Sequence, residues 1–509
     1  MCNSTAVRVG TDLRSLVRLR LLFATVTALL AVLGMTESAH AIPSFSRKYE
    51  TSCQTCHIQY PVLNAFGEAF RRNGYRFPSQ GGSVDSDAAK EETIAMGQPE
   101  NADSFPNSVL PSQISKHIAL SAVVSSSLPF SLPDSDLRKS SGNAINLSNL
   151  QGPISLYAAG SVTDNITYFA KATILPGYST VGPAYLLWND VVGPKHSVNL
   201  WVGRLVAPQL TSFVSTGAYL ADKAFPTVSV AGLFNGNHAF VLGQGPSNGA
   251  EVNGILWHRF AYSVGWLASS VQTGLKTPTS QDFYGHLGTK FGGGSLDGEE
   301  VSSQANVDLL RPWAETSLTF DVFAYRGLSV ADNFTNYPTL TGQRNEMEAV
   351  GIATRLQLGS FTANVILQQQ NHFRPYAGGN PLPANPPTQP VSLPGVPDNS
   401  AGHGFVSSAE LSYVVFPWLV PAIRAERTAL DSSHGTATFS RLMPGLSALL
   451  RPNLRLYVYA DMQSAYRTPP QPNGFSNTWI AASGTANPPK PHGERKSVEA
   501  IVANVSFGF

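Results

Sequence analysis

The residues with the most distinctive chemistry are two cysteines and a histidine near the N-terminus, in Cys53-Gln54-Thr55-Cys56-His57. This spacing is the pattern of covalent c-type haem attachment. Two thiols add across the vinyl groups of the porphyrin, and the imidazole of the next residue reaches the iron from one face. We therefore predict one haem c, bound through Cys53 and Cys56, with His57 as the proximal ligand of its iron.

Three other uses of a Cys-x-x-Cys-His motif fit this sequence less well. A structural zinc site needs four ligands, but the only other cysteine is Cys2, which lies in a predicted signal peptide. A thioredoxin-like dithiol needs a surrounding βαβ pattern, which we do not find. A plain disulfide suits an oxidising compartment but leaves His57 unexplained.

The second axial ligand of the iron is predicted to be either Met96 or His117. A methionine ligand would raise the reduction potential. His117 would lie on the inner side of a first strand, where it could meet a haem domain inside a barrel or be an ordinary lumen histidine. Around the motif, Pro61 is expected to open a short helix and Gly74 to end it.

Residues 1–41 have the features of a secretory signal peptide. Four arginines precede an apolar run from Leu21 to Leu33, and Ala39-His40-Ala41 forms a small-x-small cleavage site. The mature chain is then expected to begin at Ile42, outside the cytoplasm.

The composition favours a membrane β-barrel. Only 13% of the 509 residues are charged, against roughly 25% in ordinary soluble proteins. No later apolar run reaches the roughly 20 residues of a membrane helix. A formal net charge of +1 gives no argument for a nucleic-acid partner.

From about residue 114 onward, segments of roughly ten residues alternate between apolar and polar side chains, as in outer-membrane strands. In Leu454–Gln463 the apolar set is expected to face lipid and the polar set the lumen. Short connections alternate with long ones, and a proline-rich stretch within 372–402 is predicted to be an external loop. Asp321, Arg455 and Asp461 are expected in the lumen, where they could guide a metal ion or be the solvated side chains of a wet wall.

The pattern predicts an all-β fold, a transmembrane antiparallel β-barrel of about sixteen strands with a small N-terminal haem domain. The domains are a signal peptide at 1–41, a mono-haem cytochrome c-like domain at 42–112 and an outer-membrane barrel at 113–509. The strands are predicted at 114–123, 152–161, 165–174, 183–192, 197–206, 249–257, 259–269, 281–291, 315–326, 346–358, 360–371, 403–414, 417–428, 435–449, 453–463 and 497–509. The final strand ends on Phe509 and is similar to the signal read by outer-membrane assembly machinery.

The segment Ile42–Arg47, the motif Cys53–His57, the run Pro61–Gly67 and the pair Gly74-Tyr75 together resemble the fused outer-membrane cytochrome–porins, which include iron-oxidase-like cytochromes. The resemblance implies a single-haem domain joined to a barrel of about sixteen strands in the bacterial outer membrane. It also implies transfer of electrons from extracellular Fe(II) to a periplasmic electron-carrier cytochrome, with Cys53, Cys56 and His57 in the roles given above. A different electron donor or acceptor is also compatible with these residues. The question whether the chain acts as an enzyme, an iron oxidase, stays open.

A different class of function remains: a diffusion or uptake porin in which the haem is a structural plug or a redox gate. Solute flux that is independent of reduction would favour this alternative. A haem peroxidase would require an open iron position, and no further catalytic motif supports one.

Overall fold

The computed structural model describes residues 45, 53–76, 119–132, 145, 152–162, 165–175, 178–205, 210–213, 218–220, 228–230, 247–268, 281–299, 311, 313–330, 344–372, 402–432, 435–468, 480–482 and 495–508. The predictions for the signal peptide, for Met96, for His117 and for the proline-rich stretch lie outside these residues. Residues Pro43–Phe509 form one compact unit.

The barrel is preceded by two short strands, β1 (His57–Gln59) and β2 (Val62–Leu63), which pair with each other, and by helix α1 (Ala65–Arg72). Sixteen antiparallel strands then close into one barrel. They are β3 (Ala119–Ser131), β4 (Ile154–Ser161), β5 (Ile166–Leu175), β6 (Tyr178–Trp188), β7 (Asn199–Leu205), β9 (Ser247–Leu256), β10 (Phe260–Ala268), β11 (Gln281–Gly292), β12 (Glu315–Val330), β13 (Arg344–Gly359), β14 (Phe361–His372), β15 (Gly402–Tyr413), β16 (Leu419–Ser432), β17 (Gly435–Arg451), β18 (Leu454–Thr468) and β20 (Arg495–Gly508). The short strands β8 (Val228–Val230) and β19 (Ile480–Ala482) form a separate pair.

Each barrel strand pairs with the next along the chain, and β20 closes the barrel against β3. The predicted all-β antiparallel barrel and its strand number are confirmed. The first strand extends beyond its predicted end at residue 123: it continues to Ser131 because the serine run Ser125–Ser127 continues the pairing with β20 instead of starting a loop. Its predicted residues 114–118 lie outside the described part of the chain. The predicted start of β6 at residue 183 is also wrong, since pairing with β5 begins at Tyr178.

The alternation of side chains is confirmed where the sequence shows it most clearly. In β12, Leu318, Phe320 and Val322 are exposed on the outer face, whereas Ser317 and Asp321 are buried in the lumen. In β18 the inward set includes Arg455 and Asp461, which are also buried. The outer face is therefore apolar and the inner face polar over these strands.

Large aromatic side chains are exposed on the outer surface next to the short turns. They are Trp188, Trp257, Phe260, Phe291, Phe416 and Trp418. Such a girdle is typical of barrels at the membrane–water interface, where an amphipathic ring meets both phases. Among the described residues, no helix has the length and hydropathy needed to cross a membrane.

The two ends of the barrel differ. The N-terminal end of β3 and the C-terminal end of β20 lie at the same end as the short connections. Because outer-membrane barrels turn tightly on the periplasmic side, this short-turn end is the periplasmic one.

Candidate functional site

Residues 53–76, which we call the plug, pack inside the short-turn end of the barrel. Its helix begins at Ala65, not at Pro61 as predicted, because the side chain of Asn64 caps it by accepting a hydrogen bond from the Gly67 backbone N–H at 2.9 Å. The helix ends at Arg72, and Gly74 terminates it as predicted. The backbone N–H of Tyr75 donates to the carbonyl of Phe70 at 2.9 Å, and Gly74 adopts a φ of 73°, which together form a Schellman motif.

The cysteine motif is held against the start of this helix. Cys53–Thr55 form one turn of 3-10 helix, and the amide of Asn64 donates to the carbonyls of Gln54 and Thr55, each at 3.0 Å. Gly67 lies so close that a side chain there would overlap the carbonyl oxygen of Cys56. Asn64 thus caps the helix and positions the motif, a role that sequence reasoning missed although the residue type is a common cap.

The chemistry of the three side chains fits a covalent haem. Cys53 and Cys56 are not joined by a disulfide bond. Burial, followed by the neighbouring Cys53, raises the pKa of the Cys56 thiol to about 12.

The environment of His57 also bears on whether the motif could hold a haem. Burial lowers the pKa of its imidazole to about 4, against an opposing effect of the backbone at Val62 and Pro61. The ring is therefore neutral, which is the form that ligates a metal. Its Nδ1 atom is buried without a hydrogen-bond partner among the described residues.

The three side chains do not converge on a single point. Within the described part of the chain, one group of three metal-binding side chains has its ligand atoms within 4.8 Å of one another, and that group lies elsewhere. A zinc ion would need Cys53, Cys56 and His57 to converge. A porphyrin does not, since it binds the thiols at its edge and the imidazole at its centre.

Polar contacts attach the plug to three separate connections at the short-turn end. The Gln59 amide donates to the Trp418 carbonyl at 3.1 Å, between β15 and β16. The Asn73 amide donates to the Asp297 carbonyl at 3.1 Å, between β11 and β12. The third contact joins the Arg76 guanidinium to the Asp190 carboxylate at 3.4 Å, between β6 and β7. The plug is therefore anchored on widely separated parts of the rim.

An aromatic stack attaches the plug to the wall. The ring of Tyr75 stacks on Phe169 of β5 with centroids 5.2 Å apart, and on its other neighbour, Phe45, at 5.6 Å. Its hydroxyl lies 3.3 Å from that of Tyr185 in β6, whose ring in turn stacks on Trp201 of β7 at 5.4 Å. These wall residues point into the lumen although they are aromatic.

A buried ion pair joins the plug to the wall farther around the barrel. The Glu68 carboxylate of α1 lies 3.1 Å from the Arg355 guanidinium of β13, and both side chains are largely buried. Arg355 also lies over the ring of Phe213 at 4.5 Å. Since Glu68 and Arg355 are 287 positions apart in sequence, no local pattern could have predicted the pair.

Part of the connection between β7 and β9 folds into the lumen. We call its described residues, 210–213 and 218–220, the inward loop. The Ser212 backbone N–H donates to Asp321 of β12 at 2.9 Å, and the Tyr219 N–H donates to Glu410 of β15 at 2.8 Å. Arg455 of β18 donates to the Tyr219 carbonyl.

The plug and the inward loop meet in one apolar cluster. Its members are Ile58 and Val62 of the plug, Tyr219 and Leu220 of the inward loop, and Trp313, Val414, Val420, Ala422 and Met443 of the wall and its turns. The lumen at this end is thus filled by two separate segments that pack against each other.

The residues that sequence reasoning suggested as guides for a metal ion are all inside the barrel, but each has protein partners. Asp321 accepts from Ser212, Asp461 accepts two hydrogen bonds from Arg441 at 2.8 and 2.9 Å, and Arg455 donates to Ser447 at 2.8 Å. They hold the inner structure together.

No protein-family model and no curated protein matches the chain. Solved structures with similar architecture include OmpT, an outer-membrane protein of Vibrio cholerae, at 10% identity and a TM-score of 0.43, with 77% of this chain and 97% of that one covered. An anion-selective porin from Comamonas acidovorans is 8% identical, with a TM-score of 0.41 and coverages of 77% and 99%. Salmonella typhi OmpF, solved with daunomycin, is 10% identical, with a TM-score of 0.43 and coverages of 77% and 97%.

The closed barrel of sixteen strands, its apolar outer face and its aromatic girdle decide the architecture. The chain is a porin-like barrel of the bacterial outer membrane. Its outer face contacts lipid.

Proposed function

We propose that the protein transfers electrons at the outer membrane through one haem c bound covalently to Cys53 and Cys56, with His57 as proximal ligand. When bound, the haem supplies one-electron exchange between the ferrous and ferric states of its iron. Either Met96 or His117 is the proposed distal ligand. Extracellular Fe(II) is the proposed electron-donating substrate, and a periplasmic cytochrome the proposed acceptor.

The observation that carries this proposal is the position of the Cys-x-x-Cys-His motif within the plug. The motif is followed by a capped helix whose Glu68 pairs with the barrel wall at Arg355, 3.1 Å away. An ordinary tethered domain outside the membrane would need no such buried pair. The hydrocarbon layer is about 30 Å thick, so a single haem has to lie within the barrel to shorten the electron path between the two sides.

The chain's own residues would bind and shield this group. Ile58 and Val62 pack in the apolar cluster with the inward loop, which keeps water away from the motif. The rim contacts of Gln59, Asn73 and Arg76 hold the plug toward the periplasm, which is the side on which a soluble acceptor would dock.

A solute channel is the second candidate, and the charged inner wall favours it. Arg424, Glu426 and Glu410 lie on the inner wall with paired charges, and a polar inner wall is typical of porins. In this alternative the plug is a structural stopper or a redox gate, and the haem carries no net flux of electrons.

Proteoliposomes separate the two functions. Vesicles containing purified protein are loaded with ferric cytochrome c, and a membrane-impermeant reductant or Fe(II) is added outside, while sugar flux is followed by swelling. Electron transfer predicts reduction of the enclosed cytochrome by wild type and by Gln54→Ala, an exposed position within the motif, but not by Cys53→Ala/Cys56→Ala.

Size-dependent sugar flux that is the same in all three proteins, with reduction of the enclosed cytochrome that also does not differ among them, would instead establish the channel. Heat-modifiable migration on gels verifies that each variant has formed its barrel.

A further inference from the structure

Three connections at the short-turn end bring potential metal ligands together. His196 lies between β6 and β7, His258 between β9 and β10, and Asp297 and Glu299 between β11 and β12. Imidazole nitrogens and carboxylate oxygens are the ligands that zinc and related first-row cations accept. This cluster is separate from the cysteine motif.

Three of these side chains are close enough to share one ion. Nδ1 of His258 lies 2.6 Å from Oδ2 of Asp297 and 3.9 Å from Oε2 of Glu299, and one ligand atom from each lies within 4.8 Å of the others. Zinc bonds of about 2.0–2.2 Å place neighbouring ligand atoms about 3.3–3.6 Å apart. Binding therefore needs the distances between ligand atoms to change by about an ångström, with the ion replacing the proton between His258 and Asp297.

Burial and hydrogen bonds hold the Asp297 carboxylate in position to bind a cation. It is only 3% exposed. Its Oδ1 atom accepts hydrogen bonds from the Ser295 hydroxyl at 2.7 Å and from the Glu299 backbone N–H at 3.1 Å. These bonds leave Oδ2 directed at His258.

A fourth polar side chain lies beside this cluster. His196 is 4% exposed, and its Nε2 atom is buried without a hydrogen-bond partner among the described residues, although it lies 3.4 Å from Oε1 of Glu299.

We propose that His258, Asp297 and Glu299 bind a divalent first-row cation, for which Zn²⁺ is the probe, and that His196 orients Glu299. The remaining coordination positions are filled by water. The site would also brace the plug, because the Asn73 amide donates to the carbonyl of Asp297 at 3.1 Å. The proposal does not depend on the haem or on electron transfer.

The test is equilibrium dialysis of the purified full chain, stripped with chelator, against buffered Zn²⁺, with zinc per chain measured by elemental analysis. Wild type is expected to bind one Zn²⁺. His196→Ala is expected to weaken binding about 10- to 100-fold, the usual effect of losing an orienting neighbour, and His196→Gln, which keeps a hydrogen-bond donor, to restore part of it. His258→Ala and Glu299→Gln are expected to lose more.

Lys195 provides a test with the opposite sign. Its ammonium lies 3.1 Å from Oε1 of Glu299, so it competes with a cation, and Lys195→Met should bind Zn²⁺ more tightly. If the cluster is only a network of ion pairs, this variant will show no gain.

His403→Ala is the matched control. This exposed histidine at the opposite end of the barrel donates from Nδ1 to Oδ1 of Asn371 at 2.9 Å, and its loss should leave zinc binding unchanged. The proposal would be overturned if wild type and Glu299→Gln bound the same amount of zinc. It would also be overturned if His403→Ala lost as much zinc binding as the variants of the cluster. Glu299→Gln keeps the size of the side chain and carries the test if His258→Ala fails to fold.

Discussion

Two sectors of the inner wall use opposite chemistry. The aromatic sector, on β5 to β7, presents Phe169, Tyr185 and Trp201 to the lumen. The charged sector, on β15 to β18, presents Glu410, Arg424, Glu426, Arg441, Arg455 and Asp461, all of which are buried. The aromatic sector receives Tyr75 of the plug, whereas Glu410 and Arg455 of the charged sector bind Tyr219 of the inward loop.

The difference shows what each inner surface is packed against. Aromatic rings are stable inside a barrel only where another apolar group excludes water from them, and the plug does so. Charges are stable inside only when they are paired. The Arg441–Asp461 pair and the Arg424 contacts with Glu410 and Glu426 provide that pairing.

The largest effect should come from breaking a pair in the charged sector. Asp461→Asn leaves Arg441 buried without its counter-ion, since both side chains are at most 6% exposed. We expect a loss of about 3–5 kcal/mol in the free energy of unfolding. Urea unfolding in lipid vesicles, followed by tryptophan fluorescence, measures it.

The matched control is an exposed ion pair at the opposite end of the barrel. Glu348 lies 3.8 Å from Arg326, and the two side chains are 45% and 61% exposed. Glu348→Gln should therefore change the free energy of unfolding by less than about 1 kcal/mol. Equal losses in Asp461→Asn and Glu348→Gln would mean that the charged sector is not held by its pairs.

The aromatic sector is tested at Tyr75. Tyr75→Ala removes the ring that stacks on Phe169 at 5.2 Å and should weaken docking of the plug by about 3 kcal/mol. That loss corresponds to roughly 100-fold faster hydrogen exchange in the α1 amides, if they exchange through opening of the plug. Tyr75→Phe keeps the ring and loses only the hydroxyl contact with Tyr185, so its effect should be about 0.5–1.5 kcal/mol.

Hydrogen exchange should leave the strands of the charged sector unchanged in both tyrosine variants. If the α1 amides exchange no faster in Tyr75→Ala than in wild type, the aromatic sector does not hold the plug.

Two glycines give a smaller effect on the free energy of unfolding, which separates contact between the plug and the wall from backbone strain. Gly74 and Gly359 both have positive φ, 73° and 59°. A side chain at Gly74 would lie 2.7 Å from the Asn189 amide nitrogen, whereas Gly359 has open space around it. Gly359→Ala should lower the free energy of unfolding by about 1–2 kcal/mol through backbone strain alone.

Gly74→Ala should lower the free energy of unfolding more than Gly359→Ala does. It should also speed hydrogen exchange of the α1 amides, because the added methyl group pushes the plug away from the wall. The same unfolding and exchange measurements apply. Equal costs with no change in α1 would show that Gly74 serves only to end the helix.

The barrel wall could be predicted from the sequence better than the plug and the inward loop that fill the lumen. Alternation in β12 and β18 is a local pattern imposed by lipid on one side and water on the other, so it can be seen in the residues themselves. The same rule does not predict Phe169 and Tyr185, whose inward rings depend on the plug. Polar-in and apolar-out patterning fails where another segment replaces water.

At the candidate site, the motif Cys53–His57 and the helix end at Gly74 could be predicted because local chemistry fixes them. The cap at Asn64 was missed because Pro61 gives a similar signal for a helix start. The pairing of Glu68 with Arg355 depends on closure of the whole barrel and has no local signal.

The most direct test of the central claim is the intact mass of the mature protein, made with c-type cytochrome maturation machinery and denatured in acid acetone. We expect the polypeptide mass plus one haem, with a Soret band that stays with the protein, and the bare polypeptide mass for Cys53→Ala/Cys56→Ala. A wild-type protein with the bare polypeptide mass and no retained Soret band would contradict the account and leave a plugged pore.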